Sequence, residues 1–290
     1  MKIARTALML NSDGSIYHLH IQPGELAETI LLVGDPTRVP LISNHFDRIH
    51  MIQQHREFIV HTGEISNQRL SVIGTGIGSG NIEIVMLEAD ALHNIDFATR
   101  TIKKKITPLR FIRLGTAGAL QQDITIDSLV LSEDAVAFDG LLNFYSHPQE
   151  APLLTAIKKH FAPLAMATNA YIGHADTPLN TLFRDHCYSG ITLTCIGFYG
   201  PQYRSLRAPL IADNVLQIAN TFQYNGRVIS NFEMETAAIL GLGNILHHAC
   251  CSISTIVGNR LTDVVSHHTT ENIHKMIALV LEKISSRSHS

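Results

Sequence analysis

Two carboxylates stand one residue apart in Ser230-Asn231-Phe232-Glu233-Met234-Glu235-Thr236. A fixed glutamate can accept hydrogen bonds from a pair of sugar hydroxyls, and two glutamates so close invite acid–base chemistry. The same spacing suits a solvated helix start, because acidic side chains favour the positive end of a helix dipole. A cationic set lies elsewhere. Arg38 follows Gly34-Asp35-Pro36-Thr37, Arg113 precedes Leu114-Gly115-Thr116-Ala117-Gly118, and Arg56 lies in His55-Arg56-Glu57-Phe58. A guanidinium fork matches phosphate oxygens bidentately, and neighbouring glycines let backbone N–H groups approach an anion. The ordinary alternative for each arginine is a surface carboxylate partner.

Such residues need strands whose ends converge. Residues 29–33 form a buried apolar run that stops at Gly34-Asp35-Pro36. Residues 70–73 form another, entering the glycine-rich 74–80, after which Asn81 is expected to cap a helix to about His93. Residues 109–114 predict a strand stopping at Gly115, and 129–131, 191–196 and 252–257 predict three more. Val228-Ile229 reads as a strand end, followed by a helix over 236–249. Thr269-Thr270-Glu271 opens a last helix with Ile273, Ile277, Val280, Leu281 and Ile284 on one face. Continuous Val/Ile/Leu strands alternating with helices predict an α/β fold: a single domain over 1–290, its central, mainly parallel or mixed twisted sheet flanked by helices. The glycines of 74–80 are not spaced as a dinucleotide-binding fingerprint.

Composition narrows the function classes. The chain has 290 residues, 45% hydrophobic and 16% charged, as in a globular protein with a sizeable core. A formal net charge of -3 offers no basic footprint for nucleic acid. The 17 histidines show no metal-site spacing with the cysteines or carboxylates. Cys187, Cys195, Cys250 and Cys251 form no disulfide framework, so reduced thiols are expected. No signal peptide is expected from Met1 to Leu10, no run reaches membrane length, and a cytoplasmic location is expected.

Taken in order, Tyr17-His18-Leu19, Gly34-Asp35-Pro36-Thr37-Arg38-Val39, Arg56-Glu57-Phe58, Thr75-Gly76-Ile77-Gly78 and Arg113 through Gly118 form a pattern. It continues in Phe198-Tyr199-Gly200-Pro201-Gln202-Tyr203-Arg204, Phe232-Glu233-Met234-Glu235 and Asn259-Arg260. From about Tyr17 to Asp263 the chain resembles the nucleoside phosphorylases of the uridine phosphorylase type. The resemblance implies a pentosyltransferase: uridine plus phosphate gives uracil plus α-ribose 1-phosphate, reversibly, in pyrimidine salvage. It implies a phosphate pocket of Gly34, Arg38, Arg113 and Thr116, with Arg56 lent by a neighbouring protomer. It implies ribose contacts from Glu233, Met234 and Glu235, with His18 reaching a neighbour's ribose. Phe198, Gln202, Arg204 and Arg260 would receive the base, and Arg113, Thr116, Glu235 and Arg260 would carry the catalysis.

Purine-specific relatives carry Ser-Asp where this chain has Asn259-Arg260, so a pyrimidine is favoured. A purine phosphorylase, a nucleosidase using water, or a nucleoside-binding protein without catalysis are the alternatives. The resemblance implies no organic cofactor and no metal at the reacting centre, with phosphate as co-substrate. Some members hold a monovalent cation at a dimer interface; here Glu57 is retained, whereas Ser79-Gly80-Asn81 replaces Gly-Pro-Ser. Gly200-Pro201 stands where Pro-Gly is common, and Ala117 where many members have a hydroxyl. The expected assembly is a homo-oligomer, a dimer or a hexamer of dimers, with no nucleic-acid or membrane partner.

Overall fold

Alternation along the first strand, β1 (Thr29–Val33), sets the layering. Successive side chains of a strand point to opposite faces. Ile30 and Leu32 accordingly join one buried cluster, and Leu31 and Val33 another on the opposite face. The computed structural model describes residues 2–146, 151–211 and 215–285.

Strands β2 (Arg48–His55), β3 (Phe58–Ile65) and β4 (Gln68–Gly74) follow, with β5 (Ile95–Asp96) and β6 (Thr101–Ile102) as a separate ribbon. Then come β7 (Arg110–Ala119), β8 (Leu129–Ala137), β9 (Tyr171–His174), β10 (Tyr188–Thr194), β11 (Gln223–Tyr224), β12 (Arg227–Glu233), β13 (Ala249–Asn259) and β14 (Val264–Val265). The helices are α1 (Arg38–Ser43), α2 (Ser79–Asn94), α3 (Pro152–His160), α4 (Thr177–Thr181), α5 (Val215–Asn220), α6 (Thr236–Leu246) and α7 (Thr269–Ser285).

The main sheet runs β11-β12-β10-β8-β13-β7-β1-β4-β3-β2. Its centre is parallel through β4, β1, β7 and β13, and β10 is parallel to both β8 and β12. Antiparallel pairs β13–β8 and β2–β3–β4 make it mixed. β12 also pairs antiparallel with β7, so β12, β10, β8, β13 and β7 close into a ring. Helices α2 and α6 cover one face and α1 and α7 the other, giving the expected mixed α/β architecture. Helix α7 buries Ile273, Ile277, Val280, Leu281 and Ile284 as its periodicity predicts.

Several boundaries differ from the sequence expectation. Helix α2 starts at Ser79 rather than being capped by Asn81; Gly78 is its N-cap, with φ 99°. The Gly78 N–H finds its acceptor far away in sequence, at Glu235 Oε1, 2.8 Å. Strand β7 does not stop at Gly115 but continues to Ala119, because its glycines serve packing rather than a turn. Helix α6 ends at Leu246, where His247 adopts φ 59° and turns the chain into β13. Strand β10 ends at Thr194, two residues short of the predicted end, and β12 continues past Ile229 to Glu233.

Candidate functional site

The turns after β1, β4 and β10, the second half of β7, and the ends of β12 and β13 meet around one cavity of about 980 Å³. This is where open α/β sheets place ligands, beyond the carboxyl ends of strands. All the residues predicted for the site line it except His18 and Arg56.

One end is cationic. Arg38, at the start of α1, lies beside Arg113, and among the described residues it forms no ion pair. Burial pushes its guanidinium down, and the charge of Arg113 adds to this against the pull of Asp35 and Glu235. A half-buried cation left in that state favours an anion in the cavity. Gly34 and Thr116 line the same cavity. The Thr116 hydroxyl has no hydrogen-bond partner among the described residues, so it is free to meet a ligand.

Arg113 is arranged differently from a free phosphate fork. Its Nη2 donates to Glu235 Oε2 at 2.6 Å and lies 3.0 Å from Glu233 Oε2. Its Nη1 donates to Ser254 Oγ at 3.0 Å. Arg113, Glu233 and Glu235 are 4%, 4% and 5% exposed, so this triad is a buried ionic unit. Burial alone would lower the Arg113 guanidinium, but Glu233 and Glu235 overcome it and raise it. Burial raises the Glu235 carboxyl; Arg113 opposes this and Glu233 adds to it. Both Glu235 oxygens already have donors, Gly78 N–H and Arg113, which fixes the carboxylate while its remaining lone pairs can accept hydroxyls.

Glu233 departs most from its predicted ribose contact. Its Oε2 accepts the N–H groups of Glu235 and Thr236 at 2.8 and 2.9 Å, and its Oε1 accepts from Thr194 Oγ1 at 2.6 Å. It staples the start of α6. The pair does stand at a strand-to-helix junction, but neither member is a solvated helix start.

The opposite end is built on the turn after β10. The Arg204 guanidinium stacks 4.0 Å from the Phe198 ring, donates to the Phe198 carbonyl at 3.0 Å, and donates to Gln202 Oε1. Arg260 Nη1 and Nη2 donate to the carbonyls of Gln202 and Tyr203 at 2.9 and 3.2 Å. Arg260 therefore holds the turn that presents Gln202, with Tyr203 at φ 59°. Burial lowers both arginines, and the charge of Arg260 adds to the effect on Arg204. The aromatic wall is completed by Phe232, which sequence reasoning did not single out. Met234 lines the cavity too, next to Glu235 in the chain.

His18 and Arg56 share a different patch. His18 Nδ1 lies 2.7 Å from Glu88 Oε1, and the His55 ring contacts the His18 carbonyl at 2.9 Å. Arg56 lies over the Tyr17 ring at 5.1 Å and donates to its hydroxyl at 3.2 Å. Both are absent from the cavity wall of their own chain. Glu57 and Asn81, the positions that bear on an interface cation, do border the cavity. The supporting hydroxyls of Thr194, Ser252 and Ser254 carried no sequence signal, since Ser and Thr in strands are ordinary.

The model of the phosphorylase superfamily matches residues 28–289. A uridine phosphorylase of Thermococcus kodakarensis is 30% identical over 254 residues, 87% of this chain and 80% of that protein. A uridine phosphorylase of Treponema pallidum is 26% identical over 278 residues, 91% of this chain and 92% of its own length. Among solved structures, a Trypanosoma brucei nucleoside phosphorylase described as showing uridine phosphorylase activity superposes with a TM-score of 0.85. It is 25% identical, over 96% of this chain and 99% of that one.

Proposed function

The chain belongs to the phosphorylase superfamily, and from that premise we propose that it phosphorolyses a pyrimidine nucleoside, converting uridine and phosphate reversibly to uracil and α-ribose 1-phosphate. The observation that carries this reading is the polarity of one cavity. An anion-seeking end at Arg38 and an amide-and-guanidinium end at Gln202 and Arg204 share one cavity with Thr116, Met234 and Glu235. Those two ends fit phosphate and a uracil edge, with ribose between them.

The chemistry follows from charge. Breaking the glycosidic bond leaves positive charge on ribose and negative charge on departing uracil. Phosphate at the Arg38 end, drawn by Arg38, Arg113, Thr116 and Gly34, supplies the nucleophile and offsets the ribose cation. Holding both reactants in one cavity removes much of the entropic barrier. Arg204 and the Gln202 amide, held by Arg260, stabilise charge growing on the uracil oxygens. Glu235 accepts from the ribose hydroxyls. No cofactor is assigned a step, and a cytoplasmic location is proposed; no described helix is long and apolar enough to cross a membrane.

Uridine and inosine incubated with and without phosphate test the reading. Uracil release is expected to require phosphate and to exceed hypoxanthine release. Uracil release that persists unchanged without phosphate would overturn phosphorolysis, and faster inosine cleavage would overturn the pyrimidine assignment.

His18 and Arg56 fit a role across a dimer interface because they share a patch outside their own chain's cavity. Arg38→Ala and Arg56→Ala homo-oligomers are each expected to be nearly inactive. Co-expressed, they should regain activity, because a mixed dimer contains one cavity with Arg38 intact and a neighbour with Arg56 intact. Failure of the mixture to exceed either parent would remove the cross-protomer assignment.

A further inference from the structure

Thr194 ends β10 directly opposite Glu233 of β12, is 1% exposed, and does not line the cavity. Its hydroxyl nevertheless reaches the centre of the buried ionic unit. It donates to Glu233 Oε1 at 2.6 Å and accepts the Ala237 N–H at 2.9 Å. Glu233 Oε2 in turn accepts the N–H groups of Glu235 and Thr236 and lies 3.0 Å from Arg113 Nη2. Glu233 and Thr194 together thus satisfy three consecutive N–H groups at the start of α6, donors that a helix terminus otherwise leaves unpaired. We infer that Thr194 is a positioning residue for phosphorolysis: its hydroxyl locks the Glu233 carboxylate, which sets the backbone of Glu235 and the guanidinium of Arg113. The inference rests on the phosphorolytic reading for what that pair does to substrate.

The chemistry is specific to a hydroxyl. Valine has nearly the same shape and suits a strand end equally well, but only an O–H supplies a donor to a carboxylate and an acceptor to an N–H at once. Losing it strands a buried carboxylate oxygen and a buried N–H, the costly direction of hydrogen-bond loss. The effect must pass through Glu233 and the start of α6 that both residues hold, because Thr194 itself does not line the cavity.

Thr194→Val is expected to lower kcat/KM for uridine by roughly 10–100-fold, while Thr194→Ser stays within about threefold of wild type. The uridine-to-inosine ratio should not move, since the base end is untouched. In a Glu233→Gln background Thr194→Val should add little, as expected of residues acting in series. Equal losses in the Val and Ser variants, a shifted base preference, or full additivity with Glu233→Gln would each overturn the inference. Should Thr194→Val fail to fold, Thr194→Cys, a weak donor of similar size, is expected to give an intermediate loss; unchanged kinetics there would overturn it. A readout free of turnover is the ¹⁵N spectrum of the Arg113 guanidinium, assigned with Arg113→Lys. Slow rotation is expected in wild type and Thr194→Ser, with averaging in Thr194→Val. An unchanged spectrum in Thr194→Val sinks the positioning role, whereas wild-type protein that cleaves no nucleoside sinks the phosphorolytic reading and leaves the spectrum to decide the role.

Discussion

Arg113→Ala is expected to cut uridine phosphorolysis by about 10²–10³-fold, the scale for removing one preorganised charge-stabilising group. It is also expected to destabilise the fold by about 3–5 kcal/mol, because a buried ionic unit that loses one partner keeps an uncompensated charge. Arg113 is the cation between Glu233 and Glu235, and all three are buried. The stability loss should depend on pH with a definite sign. Burial already raises the Glu235 carboxyl against the opposing pull of Arg113, so removing Arg113 raises it further. Between the ordinary glutamate range and that raised value, the folded variant binds more protons than the unfolded chain, so its stability falls as pH rises. The penalty should be largest at neutral pH and shrink toward pH 4–5. Denaturant midpoints of wild type and variant across that range measure it. A gap between the two that is constant with pH would show that the lost energy is packing rather than charge.

The parts of the fold legible from sequence were those dictated locally. The run Thr29–Val33 is all buried and bounded by Gly34, and α7 carries a clean apolar face, so both follow from periodicity. The hairpin of β2 and β3 escaped because β2 is an exposed edge with polar Gln53 and Gln54, without a strong apolar alternation. The site residues were legible as types beside glycine turns, and their roles only through the family pattern. Their contacts were not legible. Arg113 meets Glu235 across 122 positions, and Gly78 meets Glu235 across 157. Local rules assign Glu233 to a helix start and Gly115 to a turn. Tertiary structure turns the first into a staple between β10, β12 and α6, and keeps the second inside a strand.

The same contacts explain why Arg260 and Glu233 border the cavity yet spend their polar groups on protein. Arg260 donates to two carbonyls of the turn that carries Gln202, and Glu233 accepts from two N–H groups at the start of the helix that follows Glu235. Each holds the backbone next to a ligand-facing side chain. Preorganisation of this kind means that the groups meeting developing charge need not reorient during the reaction.

Gly115→Ala carries that logic to one methyl group. A Cβ at position 115 would stand 1.8 Å from Arg113 Nη1 and 2.5 Å from its Cζ. The backbone there needs no positive φ, so the conflict is steric, and its three nearest atoms all belong to the guanidinium. Strand β7 cannot retreat, being paired with β13 at this position and with β1 just before it. Arg113 must therefore leave Glu235 and Ser254. Gly115→Ala is expected to lose about 10²-fold in kcat/KM, approaching Arg113→Ala, with an overpacking cost of about 1–3 kcal/mol. The two lesions should not add. With Arg113→Ala in place the three closest conflicts of the methyl group are gone, so the double variant should be no less active and no less stable than Arg113→Ala alone. Kinetics and denaturation of the four proteins in the cycle measure this coupling. Additive losses would mean that Gly115 serves the strand itself rather than the arginine packed against it.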